Sequence, residues 1–277
     1  MIDFLQAVIL GIVQGLTEWL PISSSGHLAI LQIAMGLEVP VFFDLVLHIG
    51  TLTGVFAIYK KDILSIISTI VAWLALYLSH KNSHLRKASY CKGEVKIIRL
   101  IILGMIPTGA IGIVFKSFFE YSFRNTDAIA VGFVATGVLV LMTRFLKNGN
   151  RELVDADAIL IGVGQGLSIF SSISRSGATI SIGMFRGLEK ASLVKYSFLL
   201  SIPAILGASI FDLAAAERET LAELNSIPAT SYVAGILLSA IVGFVSIKFL
   251  IRVINKESFY LFSFYCFAIG LVTFLGL

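Results

Sequence analysis

The sequence predicts an all-α integral membrane protein built as an inverted-topology repeat, each half a re-entrant helix hairpin followed by three transmembrane helices. Three observations predict it. Of 277 residues, 57% are hydrophobic and 14% charged, with a mean hydropathy of +0.94, which is the composition of a chain whose solvent is lipid. Six apolar runs reach about the 17 to 25 residues that a helix needs to cross a bilayer; they are uninterrupted, without the alternation of a membrane barrel. Finally, a polar segment occurs twice: Gly11 to His27 reads GIVQGLTEWLPISSSGH and Gly162 to Ala178 reads GVGQGLSIFSSISRSGA, aligned without a gap. Helix-breaking polar residues in two corresponding hydrophobic stretches mark discontinuous helices that meet near the bilayer midplane and line a site.

The first repeat, 1–150, opens with a re-entrant hairpin over about 1–38. The N-terminus MIDFLQAVIL has no Lys or Arg ahead of its apolar run, unlike a cleavable signal peptide, so it is expected to belong to the fold. Spans follow at about 42–59, 97–115 and 128–146. Residues 63–79 are just long enough to cross. They are expected instead as an interfacial helix, because Lys60, Lys61 and Asp62 leave only a short turn and because three spans, an odd number, make the second hairpin enter from the opposite face. The polar connection over 80–96 is expected as a solvated cytoplasmic loop. The second repeat, 151–277, has its hairpin at about 157–187 and spans at about 191–212, 232–253 and 258–276. Pro107 and Pro203 inside spans are expected as kinks, and Cys91 and Cys266, in unlike settings, suggest neither a disulfide nor a metal cluster.

This topology puts seventeen Lys and Arg on one face and Lys116, Arg124 and Arg218 on the other; the crowded face is cytoplasmic by the positive-inside rule. A crossing at 63–79 would change the split to fifteen against five and still satisfy the rule. The formal charge of +4 is topological and too small to suggest nucleic-acid binding. A homodimer stays open as an alternative to a monomer.

Gln14 and Glu18 are four residues apart, on one helical face, just before Pro21. A carboxylate in hydrocarbon costs at least about 2.5 kcal/mol on insertion scales, so Glu18 is a functional candidate by default. Ser23, Ser24, Ser25, Gly26 and His27 form a hydroxyl-rich break whose following half-helix presents backbone N–H groups suited to an anion such as phosphate; a titratable imidazole within a turn of serines is raw material for nucleophilic or acid–base catalysis. In the second copy Arg175 replaces Ser24, flanked by Ser174, Ser176 and Thr179. A guanidinium fork is the preferred partner of phosphate oxygens, and it can equally pair with Glu18 until a substrate arrives. Asp44 and His48, also four apart, are candidates to bind metal or orient a catalytic group, or to form a hydrogen bond where their helix begins.

In the motifs QGLTEWLPISSSGH (Gln14 to His27) and SISRSGAT (Ser172 to Thr179), supported by FDLVLHIGT (Phe43 to Thr51), the chain resembles the undecaprenyl-diphosphate phosphatases of the bacitracin-resistance family, essentially from end to end. The resemblance implies removal of the terminal phosphate of a long polyprenyl diphosphate, which recycles the lipid carrier for cell-envelope glycan assembly. It also implies a multi-pass cell-membrane protein whose site opens to the exterior, and a divalent cation, magnesium or calcium. By the same resemblance Glu18 matches the essential acid and a metal ligand, with Gln14 where the family often has a second Glu; Ser24 and His27 match the nucleophile positions, with activated water a third option. Arg175 matches the phosphate-binding arginine, with Ser23, Ser25, Ser174, Ser176 and Thr179 as further substrate contacts. A Pro-Gly that often precedes the second motif is replaced by Ser171 and Ser172. The alternative from another class is a lipid-phosphate flippase or secondary transporter, since inverted repeats with broken helices are a transporter architecture; it would release no phosphate.

Overall fold

The computed structural model describes residues 2–78, 92–123, 125–215 and 227–276. Among them regular structure is helical, apart from two isolated backbone bridges, Gly149 with Glu189 and Arg151 with Leu188. Cys91, most of the expected 80–96 loop, Arg124 and Arg218 lie outside the described residues.

Helix α1 (Phe4–Trp19) begins at a capping box: the Asp3 carboxylate accepts from the Gln6 amide at 2.8 Å, and the Gln6 side chain accepts from the Asp3 amide at 2.9 Å. It ends where Leu20 turns extended ahead of Pro21, the backbone a residue before proline prefers. Ser23 then caps α2 (Ser24–Met35), accepting from the Gly26 amide at 3.3 Å. The second copy repeats this. Helix α7 (Asp155–Leu167) stops at the break, and Ser174, which aligns with Ser23, caps α8 (Arg175–Phe185) by accepting from the Gly177 amide at 3.1 Å. Each break contains a serine in the left-handed region, Ser23 at φ 65° and Ser172 at φ 62°, a cost of order 1–3 kcal/mol that surrounding structure must enforce. At 1.5 Å per residue, these four helices of 16, 12, 13 and 11 residues are shorter than the roughly 30 Å hydrocarbon core. They form hairpins.

Six helical stretches are long and apolar enough to cross a membrane: Val41–Ala75, Gly93–Val114, Thr126–Phe145, Lys190–Phe211, Ala229–Asn255 and Phe259–Gly276. They fall on the six expected spans. They belong to α3 (Val41–Leu78), α4 (Lys92–Val114), α6 (Thr126–Met142), α9 (Lys190–Ala215), α10 (Ala229–Asn255) and α11 (Phe262–Gly276), with α5 (Lys116–Phe123) a short connector. Within Val41–Leu78 two helices meet at a kink, where Tyr59 leaves helical geometry at φ −104°, ψ 22°, just ahead of Lys60, Lys61 and Asp62. A second helix thus follows the polar turn at the expected 63–79, of which residue 79 lies outside the described residues.

The hairpins exchange partners. Helix α1 packs along α10 and α7 along α4, and the duplicated glycines make the contact: a Cβ on Gly11 would lie 2.7 Å from the Gly235 carbonyl oxygen, and one on Gly162 2.1 Å from that of Gly104. Glycine admits such close helix crossings in a membrane. The second break is held by hydroxyls, as buried irregular backbone requires: the Ser174 amide donates to Thr136 Oγ1 at 2.9 Å, that hydroxyl donates to the Ser172 carbonyl at 3.2 Å, and the Ser171 amide donates to Ser122 Oγ at 3.2 Å. The breaks meet directly. Ser176 Oγ donates to the Leu20 carbonyl at 3.0 Å, Ser174 Oγ to the same oxygen at 3.4 Å.

Candidate active site

Glu18 lies in the last turn of α1, only 6% exposed, and gathers hydrogen-bond donors from three elements and an imidazole from a fourth. Gln14, one turn earlier, donates to Oε2 at 2.9 Å; Ser24, first residue of α2, donates to the same oxygen at 2.5 Å; and Arg175, first residue of α8, donates to Oε1 at 2.7 Å. His48 of α3 brings Nε2 to 3.6 Å from Oε2. Its Nδ1 donates to the Asp44 carbonyl at 2.8 Å, which aims the other ring nitrogen at the carboxylate. Each break starts a half-helix, and the two first residues, Ser24 and Arg175, grip opposite oxygens of one acid.

The cluster lines a cavity of about 670 Å³. One part of the wall is polar: Glu18, Ser23, Ser24, Ser25, Asp44, His48, Ser174 and Arg175. Another is apolar, with Val41, Leu45, Phe123, Ile169, Ile173, Ala204, Ile205 and Ala208. Such a cavity suits a ligand that is ionic at one end and hydrocarbon at the other. Three buried polar atoms of its lining residues, Arg175 Nη1, Asp44 Oδ1 and Gln165 Oε1, have no hydrogen-bond partner, and buried unsatisfied atoms in native structures call for an explanation such as a ligand or ion.

Not every residue singled out from sequence reaches the cavity. His27 turns away: Nδ1 donates to the Ser23 carbonyl at 2.6 Å, Nε2 accepts from the Tyr265 hydroxyl at 2.7 Å, and the ring stacks on Tyr265 with centroids 5.6 Å apart. Both nitrogens are engaged, and these contacts brace the Ser23 turn. Ser176 is spent on the Leu20 carbonyl, and Thr179 bonds to the Arg175 carbonyl at 2.9 Å and to Ser197 Oγ at 2.6 Å; neither lines the cavity. Gln14 stands behind Glu18 without lining the cavity, its own Oε1 unpartnered. Asp44 and His48, by contrast, lie on the wall.

No group of three or more His, Cys, Asp or Glu side chains among the described residues could by itself hold a metal ion. The wall does carry two carboxylates, Glu18 and Asp44. Magnesium is commonly held by one or two carboxylates together with substrate phosphates rather than by an all-protein cage, and the unpartnered Asp44 Oδ1 fits that role better than Gln14.

Sequence reasoning missed several contributors. Tyr265, 238 positions from its partner His27, carries no local signal. Nor does Thr108, whose hydroxyl donates to the Gly162 carbonyl at 2.9 Å and accepts from Gln165 Nε2 at 3.3 Å, Thr108 and Gln165 both lying on the cavity wall.

Residues 7–272 match the family model described as bacitracin resistance protein BacA. Among curated relatives, the chain is 37% identical to an undecaprenyl-diphosphatase of Methanosphaera stadtmanae, over 99% of this chain and 98% of the relative. It is 39% identical to an undecaprenyl-diphosphatase of Alkaliphilus metalliredigens, over 98% and 97%, and 40% identical to one of Carboxydothermus hydrogenoformans, over 96% and 94%.

Proposed function

The chain belongs to the bacitracin resistance protein BacA family and is a membrane undecaprenyl-diphosphatase, and we propose that it works through Glu18, Ser24 and Arg175, hydrolysing a polyprenyl diphosphate to the monophosphate and inorganic phosphate. The observation that carries this assignment of residues is the 2.5 Å contact between Ser24 Oγ and Glu18 Oε2, with Glu18 Oε1 held 2.7 Å from Arg175.

The terminal phosphate enters against Arg175, whose Nη1 has a free hydrogen-bonding capacity, and against the start of α2. Ser24 Oγ attacks the terminal phosphorus while its proton passes to Glu18. The bond from phosphorus to the bridging oxygen breaks, and its electron pair leaves on that oxygen with the prenyl monophosphate. Once Glu18 has passed that proton to His48, water attacks the phosphoserine and gives a proton to Glu18, which returns it to Ser24 Oγ as the bond from Oγ to phosphorus breaks and phosphate leaves. Attack by a serine needs such an adjacent base, and phosphoryl transfer otherwise depends on positioning and charge neutralisation. His48, 3.6 Å from Glu18, is placed to take the proton onward. A magnesium or calcium ion held by Asp44, Glu18 and the substrate would neutralise phosphate charge.

We also propose that the halves form an inverted repeat and that the cavity opens to the exterior. Helix α1 runs parallel to α10, as Gly11 meets Gly235 and Gly15 meets Ser239, whereas α7 runs parallel to α4, as Gly162 meets Gly104 and Gly166 meets Ile111. Since α4 begins and α10 ends at the basic face, this parallelism supports opposite directions of insertion. The test of function is phosphate release from undecaprenyl diphosphate by purified protein with magnesium. Lipid binding without phosphate release would favour a flippase.

A further inference from the structure

The kink at Tyr59 divides α3 into two parts of different character. At 1.5 Å per residue, residues 41–58 rise about 27 Å, close to the roughly 30 Å thickness of the hydrocarbon core. That part is a complete span. Just past it, Asp62 pairs with Lys195 in the second turn of α9, and Ser65 Oγ donates to Glu94 Oε1 in the first turn of α4 at 2.9 Å. The second helix therefore begins level with the basic ends of the spans. Residues 63–78 hold no Asp, Glu, Lys or Arg. Continued in line with the span, they would carry about 24 Å of apolar helix out of the membrane.

The two sides of this helix differ in kind. Ser65, Ser68, Thr69 and Ala72 recur at i, i+3, i+4 and i+7 and so share one side, while Ile63, Ile66, Ile67, Ile70 and Leu74 follow the same helical spacing on the other. The hydroxyls of Ser68 and Thr69 donate to the Ser65 carbonyl at 2.9 and 2.8 Å, and Ser65 itself meets the start of α4. The bulky side begins inside the protein: Ile63 is buried in the main core and Ile66 packs against it. Farther along, the same side carries Ile67, Ile70, Trp73 and Leu74, all exposed. Every residue over 70–75 is exposed. The side that points into the bundle at the base of the helix therefore points, beyond the bundle, into the medium at the same depth around it. At the ends of membrane spans that medium is the boundary of headgroups and acyl chains.

We propose that residues 63–78 form a membrane-surface helix lying in the leaflet on the basic side, with the isoleucine, leucine and tryptophan side among lipid acyl chains and the serine, threonine and alanine side toward water. Its partner is lipid. With no charge on either side, the helix is held by buried apolar area and not by attraction to anionic headgroups; Lys60 and Lys61 mark the point where the chain enters the interface. The inference is independent of the phosphatase reading, and each can fail without the other.

The tryptophans of the chain are Trp19, which is buried, and Trp73, which is 61% exposed. Full-length Trp19→Phe in phosphatidylcholine vesicles without anionic lipid therefore reports on Trp73 alone. Its fluorescence is measured with phosphatidylcholines spin-labelled near the headgroup or near the end of the acyl chain, and with aqueous acrylamide. A ring about 5–10 Å into the boundary should be quenched about twofold or more better by the shallow label than by the deep one. Stronger quenching by the deep label overturns the proposal in favour of a further crossing. Quenching by acrylamide and by neither lipid label overturns it by placing the helix in water, and shielding from all three overturns it by showing a second copy on that face. A charge tests the side: in the same background Ile70→Asp should reduce shallow quenching by about half or more, since a carboxylate is costly among acyl chains, and Ser68→Asp should leave it unchanged; equal effects overturn the assigned orientation. If Trp19→Phe is not recovered folded, the difference between wild type and Trp73→Phe supplies the same signal, because Trp19 contributes to both.

Discussion

Glu18 is stabilised in a membrane segment because three hydrogen-bond donors and an imidazole converge on its two oxygens. Glu18→Gln removes the charge that Arg175 faces and the base beside Ser24; phosphate release should drop by about 10³-fold or more, within the range for a lost acid–base group, with the folded protein retained on size-exclusion chromatography. His27 gives the opposite expectation. Tyr265→Phe takes away the hydroxyl that donates to its Nε2 and should lower thermal stability by about 1 kcal/mol while phosphate release changes by less than about twofold, as followed by a melting curve and an activity assay on one sample. Of these residues, Glu18 and Arg175 were legible in the sequence because a charge in hydrocarbon is costly and because each is matched by an uncharged residue in the other copy, Ile169 and Ser24. The orientation of His27 was not. Its partner and Phe133, which meets it edge to face at 5.1 Å, come from distant helices.

At the level of elements, the base of the second hairpin is fastened by one buried carboxylate. Asp157, in the first turn of α7, accepts from Arg151 Nη2 at 2.6 Å and from Arg186 Nε at 2.8 Å, and its Oδ2 accepts from the Val154 amide at 3.1 Å. Burial acts to raise its pKa, but the bonds from Arg186 and Arg151 outweigh it and hold the carboxyl below the usual range. A depressed folded pKa contributes stability above the unfolded value, near 3.9, and that contribution disappears as pH falls through the folded value. Asp157→Asn should therefore lower the melting temperature at pH 7 and flatten its decline on acidification below about 4; a wild-type acid limb in the variant would argue against this role. The six spans themselves were readable from hydropathy alone. The kink at Tyr59, where the two helices of α3 meet, is marked in the sequence only by the charges that follow it, Lys60, Lys61 and Asp62. The role of the duplicated glycines was not readable: only the packing of α1 on α10 and α7 on α4 shows that each admits a helix from the other half.

On the scale of the whole molecule, ion pairs gather where the spans have their basic ends: Lys96 with Glu152, Arg99 with Asp155, Lys190 with Glu257 and Lys195 with Asp62. In the orientation proposed above, which follows the positive-inside rule, this face is cytoplasmic and the cavity opens on the opposite side. With Cys91 and Cys266 replaced by serine, a cysteine at Ser25 should react with a membrane-impermeant thiol reagent added outside intact cells, and substrate should protect it; labelling only after the membrane is opened would reverse the assigned orientation. Membrane residence and the repeat were plain in composition and motif. The depth at which the two breaks meet, through Ser176 and the Leu20 carbonyl, required coordinates. The claim beneath the mechanism is that Ser24, held by Glu18, receives the phosphoryl group. Phosphate release by purified Ser24→Ala, measured with its melting temperature, tests it most directly: the mechanism predicts a loss of about 10³-fold or more at an unchanged melting temperature, and turnover within tenfold of wild type would contradict it.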